Sequence, residues 1–237
     1  MLVFPSIAAA CKIQSSVSPE FIDGLHTKYL HYLARKAKCE LEIIPMPFAR
    51  RVASLRSGEI NLMVGLKSLH KEVGFEFIRP SYETIQSKYF IRAEDIEKFS
   101  SIEAFNHANA AFSIDDNKML TEAQTIFDGI VKVTSLEQKI RLLLKGRVDT
   151  FIHFESSARY MIKILGFEDE IVAANFQFSQ PLDYFVAIHT DSPLYAHKER
   201  LQAIIQSAVE NGDFTAIRRQ HEEQLESTLV NEFNAAP

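Results

Sequence analysis

Two stretches of this 237-residue chain repeat one local pattern. Residues 55–64 (LRSGEINLMV) and 143–152 (LLKGRVDTFI) each read as a helix end, a glycine, a β-branched side chain, Asn61 or Asp149, and a buried strand. Gly58 and Gly146 can adopt the left-handed conformation that ends helices, because glycine has no Cβ atom to clash. The repetition predicts two similar α/β lobes. The alternative is a coincidence between two common turns.

Helical and strand patterns alternate along the rest of the chain. Apolar spacing predicts helices over 24–37, 135–144 and near 194–210, and Ser135 with Gln138 three residues later forms a capping-box pattern. Short apolar segments between the helices predict strands at 41–44, 62–64, 110–114 and 150–152. This alternation predicts an α/β fold in which each lobe is a mostly parallel sheet flanked by helices.

The lobes are expected to be discontinuous in sequence. Residues 87–92 and 183–188 have the composition of extended segments, and we interpret them as two crossings between the lobes. We therefore predict a first lobe from residues 11–88 and 186–237 and a second lobe from residues 89–185. A two-strand hinge would join them.

Composition excludes several classes of function. With 26 basic and 31 acidic side chains the net charge is −5, which argues against a nucleic-acid-binding protein. No apolar run approaches the ~20 residues that span a bilayer. The eight histidines are scattered and form no cluster with cysteine, so no metal site is predicted. Phosphate-binding and nucleophile motifs are absent from the sequence, so we predict no cofactor and no catalytic residue.

The amino terminus and the cysteines bear on the compartment. Residues 1–10 are uncharged, mostly apolar and end in alanines, and we interpret them as the remnant of a secretory signal. An apolar tail packed on the body and a lipoprotein cleavage site are the alternatives. Cys11 and Cys39 each precede a predicted strand, so a disulfide is geometrically feasible if the strands are parallel neighbours. Two buried free thiols are the equal alternative.

Five stretches, in order, resemble the bacterial extracellular solute-binding proteins of family 3, the polar amino acid type. They are residues 40–50, 55–65, the set Phe77, Pro80 and Tyr82, residues 135–152, and residues 191–217. The resemblance covers about 12–221, and Asn61 stands where the family usually has Asp. No single motif is specific, but the five occur in register.

The resemblance implies a periplasmic receptor, secreted through a signal peptide, that closes two lobes around a small polar solute. It also implies delivery of the solute to the permease of an ABC importer by a monomer without a cofactor. Two alternatives stay open. One is a ligand-sensing module for a signalling partner, and the other is a cyclohexadienyl-dehydratase-like enzyme on the same fold, for which Glu155 would be the general acid.

The resemblance places the ligand contacts at strand ends, where open α/β sheets bind ligands. The residues expected to contact the solute are Phe21, Phe48, Arg50, Gly65, Lys67, Ser68, Lys71, Asp116, Asn117, Phe154 and Glu155. Phe48 would be an aromatic platform, and Asp116 and Asn117 would offer helix N-terminal amides. Lys71 stands where amino acid binders have an arginine, and Phe154 where they have an acid. With Arg50, Arg51 and Lys67 near the predicted mouth, this favours an anionic or carboxylated solute, although at least one of Arg50 and Arg51 is expected on a solvated helix face.

Overall fold

The structure is a computed structural model that describes residues 11–67, 71–114, 125–175 and 181–235, with the backbone alone for 225–235. The chain divides into two compact units. Unit 1 is Met1–Thr84 with Asp183–Pro237, and unit 2 is Ile85–Leu182. The chain therefore passes between the units twice, at positions a few residues before the boundaries expected from sequence.

The elements follow one another along the chain as the alternating pattern predicts. Up to residue 92 they are β1 (Lys12–Ser15), α1 (Leu25–Ala37), β2 (Glu40–Ile43), α2 (Phe48–Ser57), β3 (Leu62–Lys67), β4 (Phe75–Ile85) and β5 (Ser87–Arg92). From residue 109 they are β6 (Asn109–Ser113), β7 (Gly129–Val133), α3 (Leu136–Leu144), β8 (Thr150–Phe154), α4 (Glu155–Ile164), β9 (Ile171–Ala173), β10 (Leu182–His189), α5 (Lys198–Glu210) and α6 (Asp213–Ala235). The segment predicted to be helical near 194–210 is in fact a 3-10 helix, Pro193–His197, followed by α5.

Unit 1 contains two sheets. Strands β1 and β2 pair in parallel, and β10 lies between β3 and β4 in the second sheet. Strand β10 runs antiparallel to β3. A disulfide joins Cys11 to Cys39 just before β1 and β2, with the two Cα atoms 4.6 Å apart.

Aromatic side chains fill much of the unit 1 interior. The cluster beside β3 is made of Met46, Val52, Leu55, Ile60, Met63, Leu66, Phe75, Phe77, Phe185 and Ala187. A second group fixes α6 against α1, because Phe214 lies edge-on to Tyr29 with ring centroids 5.0 Å apart. Arg218 on α6 also pairs with Glu83 on β4. Packing between elements distant in sequence thus holds α6 in place.

Unit 2 has one five-stranded sheet in the order β7-β6-β8-β5-β9. Strand β6 is parallel to β7 and β8, whereas β5 is antiparallel to both β8 and β9. The sheet is therefore mixed, with β5 running against the other four strands. Ser135 begins α3 and accepts a hydrogen bond from the Gln138 N–H at 3.1 Å, which confirms the predicted cap.

The repeated sequence pattern corresponds to a repeated hydrogen-bond pattern. Asn61 N–H donates to the Gln14 carbonyl, and the Gln14 N–H donates back to Asn61 Oδ1, both at 2.9 Å. In unit 2, Asp149 N–H donates to the Asn109 carbonyl and the Asn109 N–H donates back to Asp149 Oδ2, both at 2.8 Å. Each side chain therefore joins the strand that follows it to a neighbouring strand of the same unit.

Candidate functional site

Several residues predicted from the sequence lie in unit 1 where strands end. Phe21 closes a 3-10 helix, Pro19–Phe21, a few residues beyond β1, and its side chain is partly buried. Phe48 is the first residue of α2, which Pro47 precedes as the N-cap. Gly65 and Lys67 lie near the carboxyl end of β3, and both are buried. The β3 end of unit 1 thus combines an aromatic ring, a buried amine and a glycine.

Gly65 has a φ of +79°, a conformation that favours glycine. A Cβ atom at this position would collide with the ring of His26 on α1. The His26 ring in turn lies edge-on to that of Tyr184 on β10, with centroids 5.9 Å apart. Burial, together with the nearby cations Arg51 and Arg218, lowers the pKa of His26 to about 3. His26 is therefore neutral at pH 7.

The two adjacent arginines at the start of α2 have opposite environments. Arg50 has 66% of its side chain exposed, with a guanidinium nitrogen 3.6 Å from a carboxylate oxygen of Glu59. Arg51 is only 4% exposed, and its Nη2 donates to the Val64 carbonyl at 3.3 Å. Its guanidinium carbon lies 5.9 Å from the centroid of the Phe48 ring. The expectation that at least one of these arginines is solvated holds for Arg50.

The predicted ligand contacts did not include His26 or Tyr184, and Arg51 was expected near the mouth of the site without being one of the contacts. A signal for Arg51 was present in the sequence, because Phe48, Arg51 and Leu55 are spaced i, i+3 and i+7 along α2. That spacing puts Arg51 on the same helix face as two apolar residues. His26 and Tyr184 carry no comparable signal, since only the fold brings α1 and β10 to Gly65.

In unit 2, Phe154 and Glu155 lie where β8 meets α4. Phe154 ends the strand, is partly buried and is the N-cap of α4, while Glu155 is the first residue of that helix. The Glu155 carboxylate accepts hydrogen bonds from Arg159 Nε at 2.9 Å and Nη2 at 2.8 Å. Glu155 is thus already occupied by a guanidinium from its own helix.

Of the other predicted contacts, Lys71 is exposed in unit 1, and Ser68, Asp116 and Asn117 lie outside the described residues, as do residues 1–10.

Within the described part of the chain, His, Cys, Asp and Glu form no group of three or more that could hold a metal ion. No helix in that same part is long and apolar enough to cross a membrane.

Comparisons with known proteins find relatives by structure alone, since no family model and no curated protein sequence matches the chain. The amino acid ABC transporter substrate-binding protein AbpA from Streptococcus pneumoniae, solved with L-arginine, superposes with a TM-score of 0.76 at 21% identity. The match covers 90% of this chain and 95% of that protein.

Two other solved structures are similar over comparable lengths. The GluR0 ligand-binding core in complex with L-glutamate has a TM-score of 0.76 at 14% identity, over 90% of this chain and 98% of that one. A histidine kinase sensor domain with similarity to periplasmic binding proteins has a TM-score of 0.74 at 15% identity, over 89% and 96%. The chain therefore has the two-lobed α/β fold of periplasmic binding proteins, which is also the fold of amino acid ABC transporter substrate-binding proteins such as AbpA.

Proposed function

We propose that this protein is a periplasmic solute-binding protein that closes around a small polar solute, of the amino acid or organic acid class, and delivers it to an ABC importer. The observation that carries the proposal is the agreement of fold over nearly the full length of both chains with a protein solved with L-arginine bound. We expect the protein to act as a monomer and without a cofactor.

The chemistry at the β3 end of unit 1 supports this class of ligand. Open α/β folds bind ligands outside the carboxyl ends of their strands, and binding sites combine aromatic walls with a few polar groups. Phe48, Gly65 and Lys67 supply such a combination in unit 1, and we retain them with Phe21 and Lys71 as proposed contacts. Phe154 and Glu155 are the proposed contacts from unit 2, and Glu155 would exchange its hydrogen bonds from Arg159 for bonds from the solute. Arg50 is not retained, because its side chain is exposed and lies beside Glu59.

Solute binding itself can be tested by thermal shift. The purified protein would be screened against amino acids, carboxylic acids and polyamines, beginning with L-arginine and L-glutamate, and hits would be measured by calorimetry. A ligand at 100 times its Kd stabilises the folded state by about 2.7 kcal/mol, which the screen would detect. Native mass spectrometry of the freshly purified protein would show any solute that co-purifies. A flat screen across all three classes would count against a solute receptor.

A sensing role is the second candidate, because a histidine kinase sensor domain has the same fold over 89% of this chain. Binding of a solute would be common to both roles, so the partner distinguishes them. Genes for an importer permease and ATPase beside this gene would favour transport, whereas a neighbouring kinase gene would favour sensing. Uptake of the identified solute by cells that lack this protein would contradict a role as the sole receptor for transport.

A further inference from the structure

Strand β3 contains a β-bulge near its carboxyl end. Met63 and Leu66 face residues of β10 that are two apart, so Val64 and Gly65 lie opposite a single residue. Gly65 has a φ of +79°, and the Val64 carbonyl accepts a hydrogen bond from Arg51 Nη2 at 3.3 Å. Bulges are found next to active sites, where the extra residue redirects a side chain. This bulge lies two residues before Lys67.

The bulge changes the face of the sheet to which the end of β3 points. In a regular strand, side chains alternate between the two faces, so residues three apart lie on opposite faces. Met63 and Leu66 are three apart, yet both belong to the apolar cluster beside β3. Without the bulge, Lys67 would share the apolar face with Met63. The bulge gives that place to Leu66 and leaves the Lys67 amine on the other face.

A ring from α1 lies against the bulge. The His26 ring occupies the space that a Cβ atom of Gly65 would take. The same ring lies edge-on to Tyr184, with centroids 5.9 Å apart, and Tyr184 faces Lys67 in the pairing of β10 with β3. His26 therefore contacts both the bulge and the cross-strand partner of Lys67. Because the ring is neutral at pH 7, it makes these contacts without adding a charge.

We propose that His26 is a positioning residue for solute binding, whose ring holds the bulge at Val64 and Gly65 and thereby places Lys67. This inference rests on the proposed function, in which Gly65 and Lys67 contact the solute, and deepens it. The ring acts by packing. A smaller side chain at position 26 would leave a gap beside Gly65 into which the backbone could shift, and binding groups work only when neighbouring side chains fix their geometry.

The placement of Lys67 can be measured without any solute. Trace acetylation with an N-hydroxysuccinimide ester, followed by mass spectrometry, reports the accessibility of each lysine amine. Lys67 is only 8% exposed, so we expect slow labelling in the wild type and about 10-fold faster labelling in H26A, where the bulge opens locally. The fully buried Lys139 and the exposed Lys38 are internal controls whose rates should not change. H26F, which keeps a ring beside Gly65, should label as the wild type does.

Solute affinity is the second readout, measured by calorimetry with L-arginine, L-glutamate and succinate. We expect H26A to bind the probe that wild type binds about 10-fold more weakly, and H26F to stay within about threefold. H31A, at an exposed position of the same helix, should stay within about twofold.

A double-variant cycle tests the contact between His26 and Gly65 itself. G65A adds the atom that collides with the ring, and H26A removes the ring. The loss of affinity caused by G65A should therefore be smaller in the H26A background than in the wild type. Equal losses in the two backgrounds would contradict the inference, because the two positions would then act independently.

A role in stability alone makes a different prediction. Leu33 lies two turns after His26 on α1 and is fully buried, so L33A should lower the urea midpoint at least as much as H26A does. We expect L33A to leave the labelling of Lys67 unchanged under native conditions, and equal labelling in L33A and H26A would overturn the inference. Should H26A fail to fold, G65A decides the question, because wild-type labelling of Lys67 in G65A would contradict the inference.

The outcomes also separate this inference from the proposed function. Wild-type affinity in H26A, whatever the labelling of Lys67, would overturn the inference and leave a solute receptor. Faster labelling in H26A, together with no binding of any probe and a flat thermal-shift screen of the wild type, would overturn the proposed function. His26 would then hold the bulge without serving a solute.

Discussion

At the scale of single residues, Asn61 and Asp149 show why similar side chains occupy equivalent positions of the two repeats. Both accept a hydrogen bond from a backbone N–H of the neighbouring strand. Asn61 also donates from Nδ2 to the Lys12 carbonyl at 3.0 Å, which a carboxylate could not do. Asp149 instead lies within 4 Å of the cations Arg92 and Lys98. The environment beyond the shared bond decides between amide and acid.

Replacing Asn61 with alanine tests this role. Asn61→Ala leaves the Gln14 N–H and the Lys12 carbonyl without their side-chain partner, and we expect a loss of about 2 kcal/mol in the free energy of unfolding. Urea denaturation followed by circular dichroism measures the loss. The control is Asn106→Ala, since Asn106 is exposed in unit 2 and surface substitutions usually change stability by less than about 0.5 kcal/mol. Equal midpoints for the two variants would contradict the assigned role of Asn61.

Single cationic residues also lie buried on the apolar faces of two helices. Lys139 on α3 is fully buried, and its Nζ donates to the Ile152 carbonyl at 2.8 Å. It stands between Leu136 and Leu143 on the buried face, as Arg51 stands between Phe48 and Leu55 on α2. Helical spacing can therefore identify a buried cation from sequence, but the group that receives its hydrogen bonds depends on the packing.

At the scale of elements, the β1–β2 pair is the smallest sheet of the described chain and is the one that carries a disulfide. Residues Lys12–Ser15 of β1 face Glu40–Ile43 of β2, and this register places Cys11 beside Cys39. A short two-stranded pair is weak by itself, so a covalent link at its start adds stability where few ladder bonds are available. The link also confines the end of α1, which precedes Cys39.

The contribution of the disulfide can be measured directly. Closing a loop across the sequence separation of 28 between Cys11 and Cys39 restricts the unfolded chain, and removal should cost ~3–4 kcal/mol. The double variant Cys11→Ser with Cys39→Ser should therefore unfold at a lower urea concentration than wild type. A reducing agent should lower the wild-type midpoint and leave that of the double variant unchanged. Alkylation of both thiols in the unreduced wild-type protein would show that the bond is not formed.

At the scale of the whole molecule, the two units differ in how the chain builds them. Unit 2 is one continuous segment with its own five-stranded sheet and its own core. That core contains Tyr89, Ile91, Phe99, Phe105, Ala108, Ala110, Phe112, Phe127, Ile152 and Ala174. Unit 1 needs both ends of the chain, because β10 lies between β3 and β4 and Phe214 packs against Tyr29.

This difference predicts an asymmetry between fragments. A fragment of residues 85–182 should fold alone, with cooperative urea unfolding by circular dichroism, because every strand of its sheet lies within it. The matched fragment of residues 1–84 should not fold, since it lacks β10, the strand between β3 and β4. Cooperative unfolding of the 1–84 fragment, or its absence in the 85–182 fragment, would contradict this account of the two units.

The sequence by itself determined the class of fold, the two repeated helix–glycine–strand units, most strand and helix positions and the cap at Ser135. These features depend on local spacing, which is visible in one chain. The direction of β5, the burial of Arg51 rather than Arg50, and the contact of His26 with Gly65 were decided only by the tertiary structure. Each depends on which distant segments meet, because burial and hydrogen-bond partners are set by packing between elements.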